Sequence, residues 1–191
     1  MQIKRELRIL GIDDGHFSKQ DKEVIVIGTI FRGGKWMDGV LSTFVQIDGS
    51  DSTEKLIHLV KKSKHFGQLR CIMINGIALG GFNVLDIKAL NKKTSLPVIV
   101  TIRKIPNLKK IKSALEKAKQ PEKMSLIKKA GKIYSTNIGN KKVYFQIAGI
   151  SSKEAAKIIY LSATRSLIPE PLRSAHLIAS GITLGESKKR V

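Results

Sequence analysis

The sequence predicts an α/β fold in which helices flank one mixed sheet, in a single domain over residues 1–191. Three patterns support this prediction. Strand-like runs with short polar connections come first, helical and strand-like segments then alternate up to residue 104, and a hairpin and two helices end the chain. Strands joined by short connections run antiparallel, whereas strands separated by helices are usually parallel. We therefore expect three antiparallel strands followed by parallel ones, plus a C-terminal β-hairpin and two helices.

The first half of the chain carries most of the predicted strands, each a short run rich in apolar and β-branched residues. These runs cover residues 6–13, 23–31, 35–47, 70–75 and 96–104. Amphipathic helices are predicted over residues 50–66 and 83–94. Ser52 or Thr53 can cap the first of these helices, and Asp86 is interpreted as a capping or solvated carboxylate in the second.

The second half begins with a lysine-rich region. Its predicted elements are helices over 107–119 and 122–131, a β-hairpin over 132–150, and helices over 151–167 and 169–181. Gly139-Asn140 is a typical hairpin turn. Ser151 and Glu154 have the spacing of a capping box, which indicates a helix start. The last helix opens with proline, and Gly181 is typical of a helix end.

The charge balance is strongly basic: 35 Lys and Arg residues against 15 Asp and Glu residues give a formal net charge of +20. Thirteen basic and two acidic residues lie between Arg103 and Lys142. Basic surfaces bind polyanions, because phosphate contacts release counterions from nucleic acid. DNA or RNA is therefore the expected partner, and the alternative is a solvated lysine-rich surface. The residues expected to contact phosphate are Arg103, Lys104, Lys109, Lys110 and Arg173.

The sequence also indicates a cellular compartment. Its first residues alternate charged and apolar side chains, unlike a secretory leader, and no apolar run is long enough to span a membrane. Cys71 is the single cysteine, which excludes an intramolecular disulfide and a cysteine-built zinc site. We therefore expect a cytoplasmic protein with no membrane partner.

Two adjacent aspartates, Asp13 and Asp14, end the first predicted strand and precede Gly15. An Asp-Gly pair can simply start a turn. In a mixed sheet, however, ligands collect beyond the carboxyl ends of the strands, and carboxylates are the ligands that Mg²⁺ and Mn²⁺ prefer. Asp48 and Asp51 follow the third predicted strand and can contribute to such a site.

Two further features suggest chemistry. His176, on the last predicted helix, is the nearest candidate general acid or base, although a lone histidine among Ala, Leu and Ile can also be a packed residue. Gly80 and Gly81 follow the strand that ends at Asn75, and their backbone N–H groups can hold an anion. The spacing matches neither a P-loop nor a dinucleotide-binding fingerprint.

Three stretches of the chain resemble a known family. They are "LGIDDGHF" (10–17), "INGIALGGFNVLDIKALNKKTSLPVIVTIRK" (74–104) and "IPEPLRSAHLIASGITLGES" (168–187). Together they are similar to an uncharacterised archaeal family that is itself distantly similar to endonuclease V. The resemblance implies a ribonuclease H-like fold, with three antiparallel strands followed by parallel ones.

The resemblance also implies roles for particular residues. In endonuclease V a metal-binding Asp stands in a Gly-x-Asp setting on the first strand, which Gly11-Ile12-Asp13 matches. A second acid ends the third strand, where Asp48, or Asp51 in its place, is a loose match. A third Asp ends the fourth strand, where this chain has Asn75. Asparagine supplies only a neutral oxygen, which argues against two-metal catalysis and leaves the binding of a single metal ion through Asp13, Asp14 and Asp48. The expected ligands of this Mg²⁺ or Mn²⁺ ion are Asp13, Asp14, Asp48 and Asn75.

The expected function is therefore nucleic-acid binding through phosphate contacts, with the neutral Asn75 arguing against catalysis. The alternative is an active metal-dependent nuclease, whose catalytic residues would be Asp13, Asp48 and His176. A further alternative is an enzyme that acts on a small phosphorylated substrate. Endonuclease V recognises a deaminated base with aromatic and proline residues, which the stretch beginning at Trp36 does not reproduce.

Overall fold

The computed structural model describes residues 3–187. The strands are β1 (Arg8–Asp14), β2 (Glu23–Arg32), β3 (Trp36–Gln46), β4 (Cys71–Asn75), β5 (Ala78–Leu79), β6 (Asn83–Val84), β7 (Val98–Ile102), β8 (Tyr134–Ile138) and β9 (Lys141–Ala148). The helices are α1 (Ser52–Lys62), α2 (Ile87–Thr94), α3 (Leu108–Lys117), α4 (Lys123–Lys129), α5 (Ser152–Ser162) and α6 (Glu170–Leu184). A short 3₁₀ turn spans Phe66–Gln68.

Seven strands form one sheet in the order β3-β2-β1-β4-β7-β9-β8. The pairs β1–β2 and β2–β3 are antiparallel, whereas β4 pairs in parallel with both β1 and β7. The predicted order of antiparallel and then parallel strands is confirmed, and the predicted hairpin extends the sheet through antiparallel pairing of β9 with β7. Because β1, β4 and β7 are parallel, they end at the same side of the sheet, which we call the carboxyl edge.

Helices cover both faces of the sheet. On one face, Ile12 of β1 belongs to the same buried cluster as Leu56 of α1. On the other face, Ile9 of β1 belongs to a cluster with Ile158 of α5 and Leu172 of α6. Side chains alternate between the faces along a strand, so the side chain of each residue in β1 is directed to one helix layer or the other.

Helix α6 lies very close to β1 at Gly11. A Cβ atom at this position would lie 2.4 Å from the carbonyl carbon of Pro171, so only glycine allows this approach. Thr29 Oγ1, on β2, donates a hydrogen bond of 2.6 Å to the carbonyl oxygen of Pro171. These contacts fix α6 over the end of β1, on the face that Gly11 shares with Asp13.

Four helices differ from their predicted bounds by three residues or more. Helix α1 ends at Lys62 rather than at residue 66, and α5 ends at Ser162 rather than at residue 167. Residues 83–84 pair with residues 78–79 as a two-stranded ribbon, so α2 begins later than predicted, and Asp86 caps it as interpreted. Helix α6 continues through Gly181 and ends at Gly185, which has a left-handed φ of 78°. The prediction placed the helix end at the wrong glycine, because only the backbone conformation distinguishes a capping glycine from one inside a helix. The capping box of Ser151 and Glu154 is confirmed.

Within residues 3–187, none of the helices has both the length and the apolar character that crossing a lipid bilayer requires.

Candidate active site

Asp13 is the centre of the site. It lies near the end of β1 and is 3% exposed. Its Oδ2 atom accepts a hydrogen bond of 3.0 Å from Asn75 Nδ2 and lies 2.9 Å from His176 Nδ1. Its Oδ1 atom accepts a hydrogen bond of 3.1 Å from the backbone N–H of Asp14. Three partners from β1, β4 and α6 thus fix the orientation of this carboxylate at the carboxyl edge.

Strand register explains why Asp13 and Asn75 meet. The parallel pairing of β1 with β4 places Ile12 beside Ile74, and the next residue of each strand carries the polar side chain. Asn75 therefore lies where a neighbouring strand end must lie in a parallel sheet. Its amide donates a hydrogen bond to Asp13, an arrangement that an aspartate at this position cannot provide unless it is protonated.

His176 is presented to Asp13 by α6, and its side chain is 21% exposed. An ionised carboxylate only accepts hydrogen bonds, so Nδ1 is the donor in this contact when Asp13 is ionised. Nε2 of a neutral imidazole then keeps its lone pair. A histidine oriented by a carboxylate in this way is the arrangement that general bases use in hydrolytic enzymes.

Asp14 lies next to this pair, where its negatively charged form is disfavoured by burial and by the nearby Asp13. Its Oδ2 atom accepts a hydrogen bond of 2.7 Å from the backbone N–H of Gly80. Burial, together with the negative charge of Asp13, raises the pKa of Asp14 to about 6, although the Gly80 N–H acts in the opposite direction. The partial burial of Asp14 and the neighbouring charge of Asp13 therefore favour the protonated form of Asp14.

The glycine pair after β4 holds carboxylates of the chain itself. Gly80 has a left-handed φ of 54°; its N–H binds Asp14, and its carbonyl oxygen accepts a hydrogen bond of 2.8 Å from the backbone N–H of Asp48. The Oδ1 atom of Asp48 accepts a hydrogen bond of 2.7 Å from the N–H of Phe82. Of the two predicted anion-binding N–H groups, that of Gly80 is thus occupied by a carboxylate of the chain, as is the N–H of the neighbouring Phe82.

Asp48 and Asp51 therefore have other contacts than those expected. Lys123 Nζ, on α4, donates hydrogen bonds to the carbonyl oxygens of Asp48 and Gly49. Asp51 Oδ1 accepts a hydrogen bond of 2.6 Å from Asn83 Nδ2. Both acids stabilise the turn after β3. Of the residues proposed for the site, the structure brings together Asp13, Asp14, Asn75 and His176, and it places Asp48 on the other side of Gly80.

A cavity of about 330 Å³ opens above the carboxylates. It is lined by Asp13, Asp14, Gly15, His16, Phe17, Asn75, His176, Ser180 and Leu184. His16, Phe17 and Ser180 are not among the site residues predicted from the sequence. His16 and Phe17 could have been predicted as site residues, because they follow the two aspartates closely in the sequence. Ser180 could have been found from its spacing of four residues from His176 on one helix face.

The donor set fits one divalent cation. Within residues 3–187, no three Asp, Glu, His or Cys side chains are grouped as a complete metal site. Mg²⁺, however, is commonly held by only one or two carboxylates, while water and substrate phosphate complete its coordination. Asp13 and Asp14 supply two carboxylates whose negative charges lie close together. The chemistry of these residues thus suits Mg²⁺ or Mn²⁺.

Basic residues lie next to this site at the carboxyl edge. Arg103 follows β7, and Lys141 and Lys142 begin β9. These three residues line a second cavity of about 420 Å³, which shares Asn75 with the first. Arg103 was predicted from the sequence as a phosphate-binding residue, but neither lysine was, because their proximity depends on the pairing of β9 with β7.

The other residues predicted to bind phosphate differ in their exposure and in whether their charge is already paired. Lys104 is exposed beside Arg103, and Lys109 and Lys110 are exposed on the first turn of α3. Arg173 donates a hydrogen bond of 2.8 Å from its Nη2 atom to the buried Glu170, so its charge is already paired.

Trp36 lies far from the carboxylates along the sheet. It is 59% exposed and pairs with Arg32, which in turn pairs with Arg8 at the start of β1. Trp36 is therefore at the side of the sheet opposite to the carboxyl edge.

Solved structures with the same fold include endonucleases V. The catalytic domain of human endonuclease V is similar with a TM-score of 0.60 and 15% identity, covering 94% of this chain and 84% of that one. Endonuclease V of Ciona intestinalis, in complex with DNA that contains an inosine, is similar with a TM-score of 0.58 and 12% identity, covering 88% and 81%. At these identities the likeness shows the fold alone. The fold is the predicted ribonuclease H-like one of endonuclease V.

Proteins with more similar sequences show the family to which the chain belongs. The family described as endonuclease dU matches residues 5–183, and the chain belongs to it. A UPF0215 protein of Methanothermobacter thermautotrophicus is 50% identical over 190 residues, covering 98% of this chain and 93% of the relative. A crystal structure of a protein of unknown function from Archaeoglobus fulgidus has a TM-score of 0.83 and 38% identity, covering 92% and 98%. The expected membership of an archaeal, endonuclease V-like family is confirmed.

Proposed function

We propose that this chain is an endonuclease that hydrolyses a phosphodiester bond of nucleic acid at the Asp13 site, with the assistance of Mg²⁺ or Mn²⁺. The observation that carries the proposal is the contact of the buried Asp13 carboxylate with both Asn75 and His176, beside Asp14 at the carboxyl edge. The description of the family as an endonuclease supports the same reaction.

Each residue of the site has a defined task in this reaction. Asp13 and Asp14 would hold the cation, which when bound would supply charge neutralisation at the phosphate and activation of a water molecule. His176 takes a proton at Nε2, because its Nδ1 atom is committed to Asp13. Asn75 fixes the position of Asp13 without adding a negative charge, so the site needs one cation rather than two.

We infer further that the substrate is DNA containing deoxyuridine. This inference is supported by the name of the family, endonuclease dU, and by the endonuclease V neighbour bound to DNA with another deaminated base, inosine. The net charge of +20 favours any polyanion, so it supports binding without selecting a base.

A second candidate is a protein that binds nucleic acid without cutting it. The observation in its favour is Asn75, since a neutral side chain takes the position of an expected metal-binding carboxylate. This candidate expects affinity that falls steeply with salt whether or not a divalent cation is present, and no cleavage.

Cleavage of end-labelled duplexes separates the two candidates. The duplexes carry one deoxyuridine, one deoxyinosine or no modified base, and are incubated with Mg²⁺, Mn²⁺ or EDTA. We expect cleavage of the deoxyuridine duplex with metal, and a loss of at least about a hundredfold in rate for Asp13→Asn. The control is Glu54→Gln, which neutralises an exposed carboxylate in the first turn of α1.

Two outcomes contradict the nuclease. One is the absence of metal-dependent cleavage by the unmodified chain while salt-dependent binding persists, which establishes the binding protein instead. The other is equal cleavage by the unmodified chain and Asp13→Asn. Cleavage of all three duplexes at the same rate contradicts the deoxyuridine specificity and leaves the nuclease in place.

A further inference from the structure

The cavity of about 420 Å³ beside the carboxylates has no task in the mechanism above. Its volume falls in the range of roughly 300–1,000 Å³ that is typical of sites for small molecules and cofactors. Asn75 lies in its wall and in the wall of the Asp13 cavity, so the two cavities adjoin. A molecule in one is therefore next to a molecule in the other.

Sheet register places this cavity at the carboxyl edge. Asn75 of β4 pairs with Thr101 of β7, and Ile102 of β7 pairs with Tyr144 of β9. Because β9 is antiparallel to β7, Lys141 and Lys142 extend past the end of β7. The segment 166–169, which leads into α6, forms the opposite wall.

The lining has an apolar part, a basic part and three uncharged polar residues, which are Asn75, Thr101 and Ser166. Ile102, Val143, Leu167, Ile168 and Pro169 are its apolar residues. Arg103, Lys141 and Lys142 are exposed and supply three positive charges, and no acidic residue belongs to the lining. The cavity thus suits a ligand with an apolar, flat part and an anionic part.

The three basic side chains are free to bind such a ligand. Among the residues that the structure describes, Arg103, Lys141 and Lys142 form no ion pair, whereas Arg173 and Lys129 are paired with Glu170 and Asp86. An unpaired cation at a cavity rim gives up no existing partner when it binds phosphate. The rim is therefore available for phosphate contacts.

We propose that this cavity is a subsite for one unpaired nucleotide of the strand that is cut. Its base packs on Ile102, Leu167 and Ile168, and its phosphate contacts Arg103, Lys141 and Lys142. The nucleotide is extruded from the duplex, since a stacked base cannot enter a cavity, and a mismatched base leaves the stack at the lowest cost. This subsite rests on the proposed function, because it positions the neighbouring phosphate at Asp13.

Binding measurements test the subsite separately from cleavage. In the Asp13→Asn background with EDTA, fluorescence anisotropy measures the affinity for a short single-stranded deoxyuridine oligonucleotide across a salt series. We expect Lys141→Gln/Lys142→Gln to weaken binding about tenfold and to reduce the slope of log affinity against log salt by up to about 0.7, the value for the one phosphate that these side chains contact.

The matched control is Lys92→Gln/Lys93→Gln. These two lysines are also adjacent and exposed, but they lie on the last turn of α2, which leads into the start of β7 at the opposite side of the sheet. We expect this control to change the affinity by less than about twofold, since its charges are remote and screened. Equal weakening by the two lysine pairs overturns the subsite.

A second variant tests the position of the base. Leu167→Trp fills the apolar part of the cavity, and 2-aminopurine in the oligonucleotide reports unstacking by a rise in fluorescence. We expect the rise with the Asp13→Asn chain and its loss when Leu167→Trp is added, with thermal unfolding measured to verify the fold. A rise that Leu167→Trp leaves unchanged also overturns the subsite.

These results remain distinct from those for the nuclease. If the unmodified chain does not cut DNA but the lysine pairs differ as expected, the proposed reaction is wrong and the nucleotide subsite stands. If the chain cuts DNA and the lysine pairs behave alike, the reaction stands and the subsite is wrong.

Discussion

Asp13 Oδ2 and His176 Nδ1 lie 2.9 Å apart, although 163 positions separate these residues in the sequence. Strand β1 supplies one and helix α6 the other, and both are held by the close approach of Gly11 to Pro171. The contact gives the imidazole one orientation and leaves Nε2 as its basic atom. Substitutions at this pair and at the residues around it should therefore change cleavage, stability or both.

Replacing His176 separates its proposed chemistry from binding. His176→Ala removes the group that accepts the proton, so we expect the cleavage rate to fall by about 10²- to 10⁴-fold. The affinity for the oligonucleotide, measured by anisotropy in EDTA, should stay within about twofold, because the positive charge needed for binding lies elsewhere. Parallel losses in rate and affinity would assign His176 to binding instead.

Gly11 tests how the site is assembled. Gly11→Ala puts a Cβ atom 2.4 Å from the Pro171 carbonyl carbon, so helix α6 must shift. We expect a loss of about 1–3 kcal/mol in the free energy of unfolding, measured with urea, and slower cleavage because His176 moves with the helix. The control is Gly67→Ala, where no atom lies within 4 Å of the added Cβ. Equal stability of the two variants would contradict close packing at Gly11.

Asn75→Asp tests why this position is neutral. The substitution replaces the donor to Asp13 with a third carboxylate, and like charges at this distance repel. In EDTA we expect a loss of about 1–3 kcal/mol in the free energy of unfolding, because the buried Asp13 loses a hydrogen bond. Mn²⁺ should restore stability, and the number of bound ions measured by electron paramagnetic resonance should increase. A variant as stable in EDTA as the unmodified chain would contradict the proposed role of Asn75.

Asp86 provides a prediction for pH. Burial alone raises the pKa of Asp86, but hydrogen bonds from Lys129 and from the first turn of α2 outweigh it, so its pKa lies below the usual 3.8. A lowered pKa in the folded state stabilises the fold at pH values above 3.8, and this contribution is lost as the pH falls through the folded pKa.

Comparison with Asp86→Asn isolates that contribution, since asparagine also caps helices. At neutral pH we expect the variant to be less stable by about 0.5–1 kcal/mol in urea unfolding, since Lys129 is half-exposed and its ion pair is partly screened. The difference should disappear below the folded pKa. A difference that is constant with pH would contradict the charge contribution.

The sequence predicted those parts of the fold and site that depend on strand order. Asp13 and Asn75 meet because adjacent parallel strands end together, and the order of helices and strands implies that pairing. The role of Asp48 was not predictable in the same way. Its contacts depend on the left-handed conformation of Gly80 and on how the loop folds, which residue types and spacing do not determine.

The second cavity escaped prediction for a related reason. Arg103 follows a predicted strand, so its place at the carboxyl edge could be inferred. Lys141 and Lys142 come near it only because the hairpin joins the sheet beside β7, and the sequence does not specify which edge a hairpin extends. Pairing between distant segments thus accounts for most of what was missed.

Anomalous diffraction from crystals of the full chain soaked in Mn²⁺ tests the central claim most directly. We expect one peak within coordination distance of carboxylate oxygens of both Asp13 and Asp14, and the loss of that peak in Asp13→Asn. The absence of a peak at these carboxylates, or a peak at Asp48 alone, would contradict a metal-assisted site at the end of β1.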